Sequence, residues 1–137
     1  MNTPALEVVV QDIGLIGYEQ ARRLQNHYAA EIARGERPPT LLLLEHPHVY
    51  TFGSQGQAAN LLWSEAQLRA RGVAVHETDR GGDVTYHGPG QLVGYPLLRL
   101  GKVDSDNRLP RADYVGYIRR LEQTLIAALA RLGLVAG

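Results

Sequence analysis

The sequence predicts an α+β domain in which a mixed β-sheet is covered by helices. Two long segments with apolar residues at helical spacing lie towards opposite ends of the chain, and several short apolar or β-branched segments lie between them. Strands arranged between helices in this order are typical of the α+β class. The chain has 137 residues, of which 45% are hydrophobic, so it is long enough for one domain with one core, or for a large part of one.

Three helices are predicted. The first has its apolar residues spaced from Tyr18 to Ile32 and ends at Gly35, before two prolines. The second is short and covers residues 64–71, where Ser64 and Gln67 form a capping box. The third begins at Asp113, a good N-cap, and ends at Gly133 with an apolar face made of Tyr114, Ile118, Leu121, Leu125, Leu129 and Leu132.

The strands are predicted from short runs that are rich in apolar or β-branched residues or that alternate in polarity. They cover residues 6–10, 40–45, 49–52, 73–77, 84–86 and 92–98. Pro96 lacks an amide hydrogen, so the last strand is expected at a sheet edge or at a bulge. Residues 101–111 are polar and are expected to form an exposed loop. The final residues 134–137 resemble the beginning of another strand, so a domain incomplete on its carboxy-terminal side is expected.

Composition excludes several function classes. Fourteen basic residues balance fourteen acidic ones, so no electrostatic attraction to nucleic acid or to an anionic membrane is expected. The chain has no cysteine, which excludes disulfides, thiolate metal ligands and a cysteine nucleophile among these residues. The amino-terminal sequence shows no secretory signal pattern and the longest dense apolar run is only four residues, so a cytoplasmic protein is expected.

The densest functional signal is the segment Arg80-Gly-Gly-Asp-Val-Thr-Tyr-His-Gly-Pro-Gly-Gln91. Glycines allow positive φ and let a ligand approach the backbone, and turn amides can stabilise a carbonyl oxygen that gains negative charge during acyl transfer. Glycine and proline also form purely structural hairpins. On spacing alone, a binding site and a structural turn therefore remain equally good interpretations.

This segment, followed by Val93-Gly-Tyr-Pro-Leu97, closely resembles the signature of the lipoyl(octanoyl) transferase family. Upstream, Leu44-Glu-His-Pro47 and the residues that follow resemble that family's Glu-His-Pro block. The resemblance implies a biotin/lipoate-ligase-like catalytic fold, with residues 1–137 forming the amino-terminal part of a single domain and the motifs in residues 35–137. Related lipoate and biotin ligases typically have His-Asp-x-Gly-Asn where this chain has His-Gly-Pro-Gly-Gln, which favours the transferase.

The resemblance implies ping-pong acyl transfer from octanoyl-acyl carrier protein to a lysine of the lipoyl domains of 2-oxoacid dehydrogenases and of the glycine cleavage H protein. A cysteine carries the acyl group as a thioester and a lysine stabilises its thiolate. No cofactor is expected, because the donor thioester is already activated. This chain has no cysteine, and its one lysine, Lys102, does not match the family's catalytic lysine. We therefore interpret the sequence as a truncated or degenerate member.

The resemblance also implies that one segment lines the acyl pocket. Its residues are Arg80, Gly81, Gly82, Asp83, Val84, Thr85, Tyr86 and His87. The backbone at Gly81 and Gly82 is expected to face the acyl chain, whereas Tyr86 and His87 shape the reacting end. His87 is a candidate for assisting proton transfer from the incoming amine. Asp83 is expected to be exposed.

Other interpretations remain open. An ATP-dependent lipoate or biotin ligase relative is one, and a non-catalytic module that binds acyl carrier protein or lipoyl domains is another. A metal site formed by His46, His48 and His87 is disfavoured, because no acidic or thiolate partner accompanies them. His46 is instead expected to hydrogen-bond backbone, and Trp63 is expected to pack in the core or against a subdomain.

Overall fold

The computed structural model describes residues 7–101 and 112–137, which lie in two compact units, Met1–Leu98 and Arg99–Gly137. The predicted polar loop, including Lys102, lies almost entirely outside the described residues. In chain order the elements of the first unit are β1 (Val9–Leu15), α1 (Tyr18–Arg34), β2 (Thr40–Glu45), β3 (Val49–Phe52), a 3₁₀ turn (Ala58–Asn60), α2 (Glu65–Ala70), β4 (Ala74–Glu77), β5 (Val84–His87) and β6 (Val93–Leu97). The second unit contains α3 (Tyr114–Arg131).

The six strands form two mixed sheets of three strands each. The first has the order β1-β2-β6, with β1 parallel and β6 antiparallel to the central strand β2. The run of four leucines in β2 suits this central place, because a central strand is covered by neighbours and packed against the core. Pro96 lies in β6 at the sheet edge, as its missing amide hydrogen predicts. The α+β class is therefore confirmed.

The first strand differs from the prediction of residues 6–10. It covers Val9–Leu15 and pairs along its length with β2, from Val9 opposite Thr40 to Leu15 opposite Glu45. The register shifts between Asp12 and Gly14, where the Asp12 carboxylate accepts a hydrogen bond from the Gly14 amide. Pairing with a buried strand overrides the weak local preference of Gln11 and Asp12, so sequence pattern alone placed the strand too early.

Helix α1 covers the first sheet. Its apolar positions pack on β2, where Ala21, Leu42 and Leu44 form a fully buried cluster. The helix ends at Gly35, whose φ of 78° and backbone amide close the last turn onto the carbonyls of Glu31 and Ile32. The predicted helix and its stop signal are both confirmed.

The second sheet has the order β4-β3-β5, with β4 parallel and β5 antiparallel to β3. Short α2 precedes β4 and buries Leu68. Its capping box is present in full, because the Ser64 hydroxyl accepts from the Gln67 amide and the Gln67 side chain accepts from the Ser64 amide. These three strands and this helix follow the predicted segments to within one residue at almost every end.

The second unit is described by α3 alone among its secondary-structure elements. Asp113 caps the helix by accepting a hydrogen bond from the Gly116 amide at 2.8 Å, as predicted. No described residue of α3 is buried. Within residues 7–101 and 112–137, none of the helices combines the length and apolar character needed to cross a membrane.

Replacing Leu42 with alanine tests the assignment of the core. Leu42 has no exposed surface, so Leu42→Ala is expected to lower the free energy of unfolding by about 2–5 kcal/mol. Leu62, which is 96% exposed, provides the matched control, and Leu62→Ala is expected to change it by less than about 0.5 kcal/mol. Urea unfolding of the three proteins measures both values. Equal losses in the two variants would contradict this core.

Candidate functional site

The Gly81-Gly82 turn packs its carbonyl side against Gly53, which follows β3. The amides of Gly53, Ser54 and Gln55 donate hydrogen bonds to carbonyls within the turn, at 2.9–3.0 Å. A Cβ on Gly53 would lie 2.7 Å from the Gly81 carbonyl oxygen and closer still to that of Gly82. The two backbones can approach this closely only because residue 53 has no side chain.

The opposite side of the same turn is open. A Cβ built on Gly81 would meet no atom within 4 Å, and one on Gly82 would approach only the Arg80 guanidinium, at 3.4 Å. Both glycines are exposed, and Gly82 has a φ of 84°. The turn thus presents bare backbone to its surroundings on one side while its carbonyls are held on the other. The approach of a thin ligand to this backbone stays a prediction.

Arg80 uses its guanidinium within the protein. One terminal nitrogen donates to the Thr51 carbonyl at 2.7 Å, to the Thr51 hydroxyl at 3.0 Å and to the Asp83 carbonyl at 2.9 Å. The other donates to the Gly81 carbonyl at 2.9 Å. Arg80 therefore supports the turn by hydrogen bonds to backbone on β3 and within the turn itself.

Asp83 is exposed, as expected, and has a structural role as well. Its carboxylate accepts hydrogen bonds from the Gln57 amide at 3.1 Å and from the Asn60 side-chain amide. These contacts hold the 3₁₀ turn Ala58–Asn60 next to the glycine turn. The Asp83 carboxylate is thus directed towards the 3₁₀ turn.

Strand β5 separates the predicted pocket residues onto two faces of the second sheet. Paired residues of antiparallel strands project to the same side, and successive residues alternate. Thr85 pairs with Thr51 and His87 with Val49, whereas Tyr86 pairs with Tyr50. Thr85 and His87 therefore share one face, which we call the histidine face, and Val84 and Tyr86 share the other. The structure does not bring Tyr86 and His87 together.

His46 is fully buried where the histidine face meets the first sheet. Its Nδ1 lies 2.8 Å from the Ile16 carbonyl and its Nε2 lies 3.0 Å from the Tyr95 hydroxyl. The Ile16 carbonyl only accepts, so Nδ1 carries the hydrogen and Nε2 accepts from Tyr95. The expected hydrogen bond from His46 to backbone is confirmed.

Burial is the main cause that lowers the pKa of His46, and the nearby His87 lowers this pKa further, while the Ile16 hydrogen bond raises it. The His46 ring lies edge-on to Tyr18 and to His87, with centroids 5.5 and 5.8 Å away. Within the described parts of the chain, no group of three or more His, Asp or Glu side chains is arranged to hold a metal ion.

His87 ends β5 and faces the turn that follows. Its Nδ1 lies 2.7 Å from the Gln91 side-chain oxygen. The turn is held to the first sheet by the Glu45 carboxylate, which accepts a hydrogen bond from the Gly90 amide at 2.7 Å. The two sequence blocks that resemble the transferase family are therefore in direct contact.

The other face of β5 carries a separate pair of rings. The Tyr86 hydroxyl and Nδ1 of His48 form a hydrogen bond at 2.6 Å, and the two rings stack. Gly88 is buried beneath this pair, and a Cβ there would overlap the Tyr86 hydroxyl. His48 is therefore directed away from His46, although only one residue separates them.

A cavity of about 990 Å³ lies beside the second sheet. Its lining includes Phe52, Val75 and Glu77, together with Leu61, Leu62 and Trp63. Of the described residues 80–87, none lines it. Trp63 is 46% exposed and lies under the Arg71 guanidinium at 4.3 Å, so of its two expected environments the core is wrong and packing against a subdomain stays a prediction.

Sequence reasoning assigned no role to four residues that build this site: Gly53, Glu45, Tyr95 and Gln91. All four lie inside the blocks that carry the family resemblance, and this placement was the available signal. Gly53 follows a predicted strand directly, where a glycine indicates close approach of another backbone.

Alanine substitutions at two glycines test the packing of the turn. Gly53→Ala forces a methyl group against two carbonyl oxygens and is expected to lower the free energy of unfolding by about 1–3 kcal/mol. Gly81→Ala adds its methyl group to open space, and a change below about 0.5 kcal/mol is expected. Urea unfolding compares the two. If Gly53→Ala were as stable as Gly81→Ala, the close approach would be refuted.

The lowered pKa of His46 predicts a pH dependence of stability. The unfolded chain binds more protons than the folded one between the folded-state pKa and the ordinary value of about 6.5. The stability contribution is therefore complete above about pH 6.5 and is lost as pH falls through the folded-state pKa. His46→Gln removes the titrating imidazole. The unfolding free energy of this variant should therefore fall less on acidification than that of the wild type. The exposed variant Leu62→Ala should keep the wild-type slope, and a parallel slope in His46→Gln would disprove the assignment.

Comparison with known proteins identifies the family of this chain. Residues 17–137 match the family model described as the lipoyl protein ligase A/B catalytic domain. A protein named octanoyltransferase from Chloroflexus aurantiacus (strain ATCC 29366 / DSM 635 / J-10-fl) is 47% identical over 129 residues, covering 93% of this chain and 54% of the relative. Another from Nocardia farcinica (strain IFM 10152) is 47% identical over 130 residues, covering 95% and 46%. The chain thus spans about half the length of these curated relatives.

Solved structures support the fold. Protein Ta0514 from T. acidophilum, assigned as a lipoate protein ligase, superposes with a TM-score of 0.60 at 20% identity, covering 94% of this chain and 49% of that chain. Its form with bound lipoic acid gives 0.58 at 19% identity, covering 93% and 48%. At this identity the likeness concerns the fold alone, and it confirms the expected architecture. Since the family model covers residues 17–137, this chain belongs to the lipoyl protein ligase A/B catalytic domain family.

Proposed function

We propose that this chain supplies the acyl-binding half of an octanoyltransferase. The observation that carries the proposal is the 47% identity, across 93% of the chain, to a protein named octanoyltransferase. The donor is octanoyl-acyl carrier protein, and the acceptor is a lysine of lipoyl domains, including those of 2-oxoacid dehydrogenases and the glycine cleavage H protein. The proposed compartment is the cytoplasm. Residues 1–137 then form the amino-terminal part of one catalytic domain, with its motifs in residues 35–137.

The acyl chain is proposed to lie along the open side of the Gly81-Gly82 turn and to reach the histidine face. Bare glycine backbone admits a thin chain, and Thr85 and His87 project from the same side of β5. Arg80 and Asp83 support the turn and its neighbour through their hydrogen bonds. Val84 and Tyr86 project from the opposite side of β5. Of the eight residues first assigned to the pocket, Gly81, Gly82, Thr85 and His87 are proposed to face the acyl group.

The nucleophile is proposed to come from polypeptide outside these 137 residues, which contain no cysteine. That thiolate attacks the octanoyl thioester, acyl carrier protein leaves as its own thiolate, and a new thioester forms. The acceptor amine then attacks this thioester. Its surplus proton has to move to a base within hydrogen-bond reach, and His87 is proposed for that role. No cofactor is required, because a thioester is already activated.

Two alternatives differ in measurable ways. An ATP-dependent lipoate ligase is favoured by the family description itself, which includes ligases, and it would form an acyl-adenylate and release pyrophosphate from ATP. A non-catalytic module would bind acyl carrier protein or lipoyl domains without moving an acyl group. Octanoyl transfer that proceeds without ATP excludes both alternatives.

The proposal is tested with the 137-residue chain alone and with the chain joined to the carboxy-terminal part of the Chloroflexus aurantiacus relative. The chain alone is expected to form no thioester with octanoyl-acyl carrier protein. The joined protein is expected to transfer the octanoyl group to a lipoyl domain without ATP, as measured by the mass of the acceptor. If the joined protein folds and binds octanoyl-acyl carrier protein but transfers nothing, the proposed function is wrong.

Two histidine variants of the joined protein make the test specific. His87→Ala removes the proposed base and is expected to slow transfer to the acceptor about 100-fold or more. His27, an exposed residue of α1 whose side chain is 64% accessible, gives the matched control His27→Ala, for which the wild-type rate is expected. Formation of the thioester should survive in both variants. Full transfer by His87→Ala would remove His87 from the mechanism.

A further inference from the structure

The side chain of Gln91 makes two hydrogen bonds that define its orientation. Its amide nitrogen donates to the Tyr86 carbonyl at 3.4 Å, and its oxygen lies 2.7 Å from Nδ1 of His87. The carbonyl can only accept, so the nitrogen of the Gln91 amide has to face it and the oxygen has to face His87. The amide therefore presents an acceptor to the imidazole.

An acceptor at Nδ1 selects one form of the neutral imidazole. Nδ1 has to carry the hydrogen, which leaves the lone pair on Nε2. Within the described residues, no group hydrogen-bonds Nε2 of His87. We propose that Gln91 is a positioning residue, which holds His87 in the Nδ1–H tautomer with a basic, unpaired Nε2 directed at the reaction. This role rests on the proposed function.

The backbone around Gln91 is held independently of this contact. The Gln91 amide donates to the Gly88 carbonyl at 3.1 Å, and the neighbouring Gly90 amide donates to the Glu45 carboxylate at 2.7 Å. The turn therefore fixes where the Gln91 side chain begins. Loss of the Gln91 side-chain amide should therefore change the tautomer of the His87 imidazole without unfolding the turn.

The neighbouring His46 cannot substitute for His87. Both of its ring nitrogens are already hydrogen-bonded, to the Ile16 carbonyl and to the Tyr95 hydroxyl, and the ring is fully buried. The two rings form a T-shaped contact with centroids 5.8 Å apart, which restricts how the His87 ring can turn. Of these two imidazoles, only His87 has a ring nitrogen without a hydrogen-bond partner among residues 7–101 and 112–137.

In the proposed step, the neutral acceptor amine attacks the carbonyl carbon of the cysteine thioester. The C–N bond forms, the C–S bond breaks with its electron pair leaving on the thiolate, and one amine proton moves to Nε2 of His87. The imidazole then carries hydrogens on both nitrogens, and Gln91 still accepts from Nδ1. In the opposite tautomer Nε2 would already hold a hydrogen and could not accept another.

The tautomer is measurable on the 137-residue chain without any substrate. Two-dimensional ¹H–¹⁵N NMR of the ¹⁵N-labelled protein is recorded at a pH high enough for the ring to be neutral. It distinguishes protonated from unprotonated ring nitrogens. The expected result is Nδ1–H for His87. Gln91→Leu, which removes the acceptor at similar size, is expected to shift His87 towards Nε2–H, whereas Gln91→Glu, which keeps an acceptor, is expected to retain Nδ1–H. His46 should show Nδ1–H in all three proteins and so reports an intact fold.

An Nε2–H tautomer of His87 in the wild type, or an unchanged tautomer in Gln91→Leu, would overturn the inference. The transfer assay on the joined protein supplies the second readout. Gln91→Leu is expected to lower kcat about tenfold with little change in KM. Gln91→Glu is expected to keep most of the wild-type kcat. If the tautomer shifts as expected but the wild-type joined protein transfers nothing, the proposed function fails while the positioning by Gln91 stands. If the tautomer shifts and kcat is unchanged, the catalytic role of Gln91 is wrong.

Discussion

The buried imidazole of His46 connects segments of the first sheet by hydrogen bonds and contacts the end of the second sheet through His87. It donates to the Ile16 carbonyl at the end of β1 and accepts from the Tyr95 hydroxyl on β6, so one ring connects segments 79 residues apart. A buried polar group left without its partner costs about 1–3 kcal/mol, which disfavours any arrangement that withdraws either one. Tyr18 and His87 pack against the same ring. His46, which directly follows β2, therefore contacts the end of β5.

A second constraint is the close approach of two backbone segments. Gly53 allows the segment after β3 to lie directly against the Gly81-Gly82 turn, and Arg80 adds hydrogen bonds from the same turn to Thr51. The turn is therefore rigid on its carbonyl side and bare on the other. The proposed acyl chemistry would use this exposed glycine backbone and the histidine face, because a reacting group has to be held in a fixed position.

Much of the fold follows from local sequence. The periodicity and terminal glycine of α1, the leucine run of β2, the capping box at Ser64 and the cap at Asp113 each depend on neighbours within a few residues. β1 and Trp63 were misjudged because their environments are set by distant segments: β2 recruits polar residues into β1, and Arg71 covers the indole. In the site, the motif located β5 but not its orientation. Which face meets His46 depends on the pairing register of β3 with β5, and short local patterns do not encode it.

The pleat of β5 has a practical consequence for engineering. Val84 and Tyr86 project to one side of the sheet, and Thr85 projects with His87 to the other. Substitutions at 84 and 86 therefore change one side of the strand and leave the side proposed for the acyl chain unchanged. Under the proposed function, enlarging or shrinking the residue at 85 should alter which chain lengths are accepted while leaving the reverse side untouched. Libraries that vary the two sets separately would decouple selectivity from stability in a strand of only four residues.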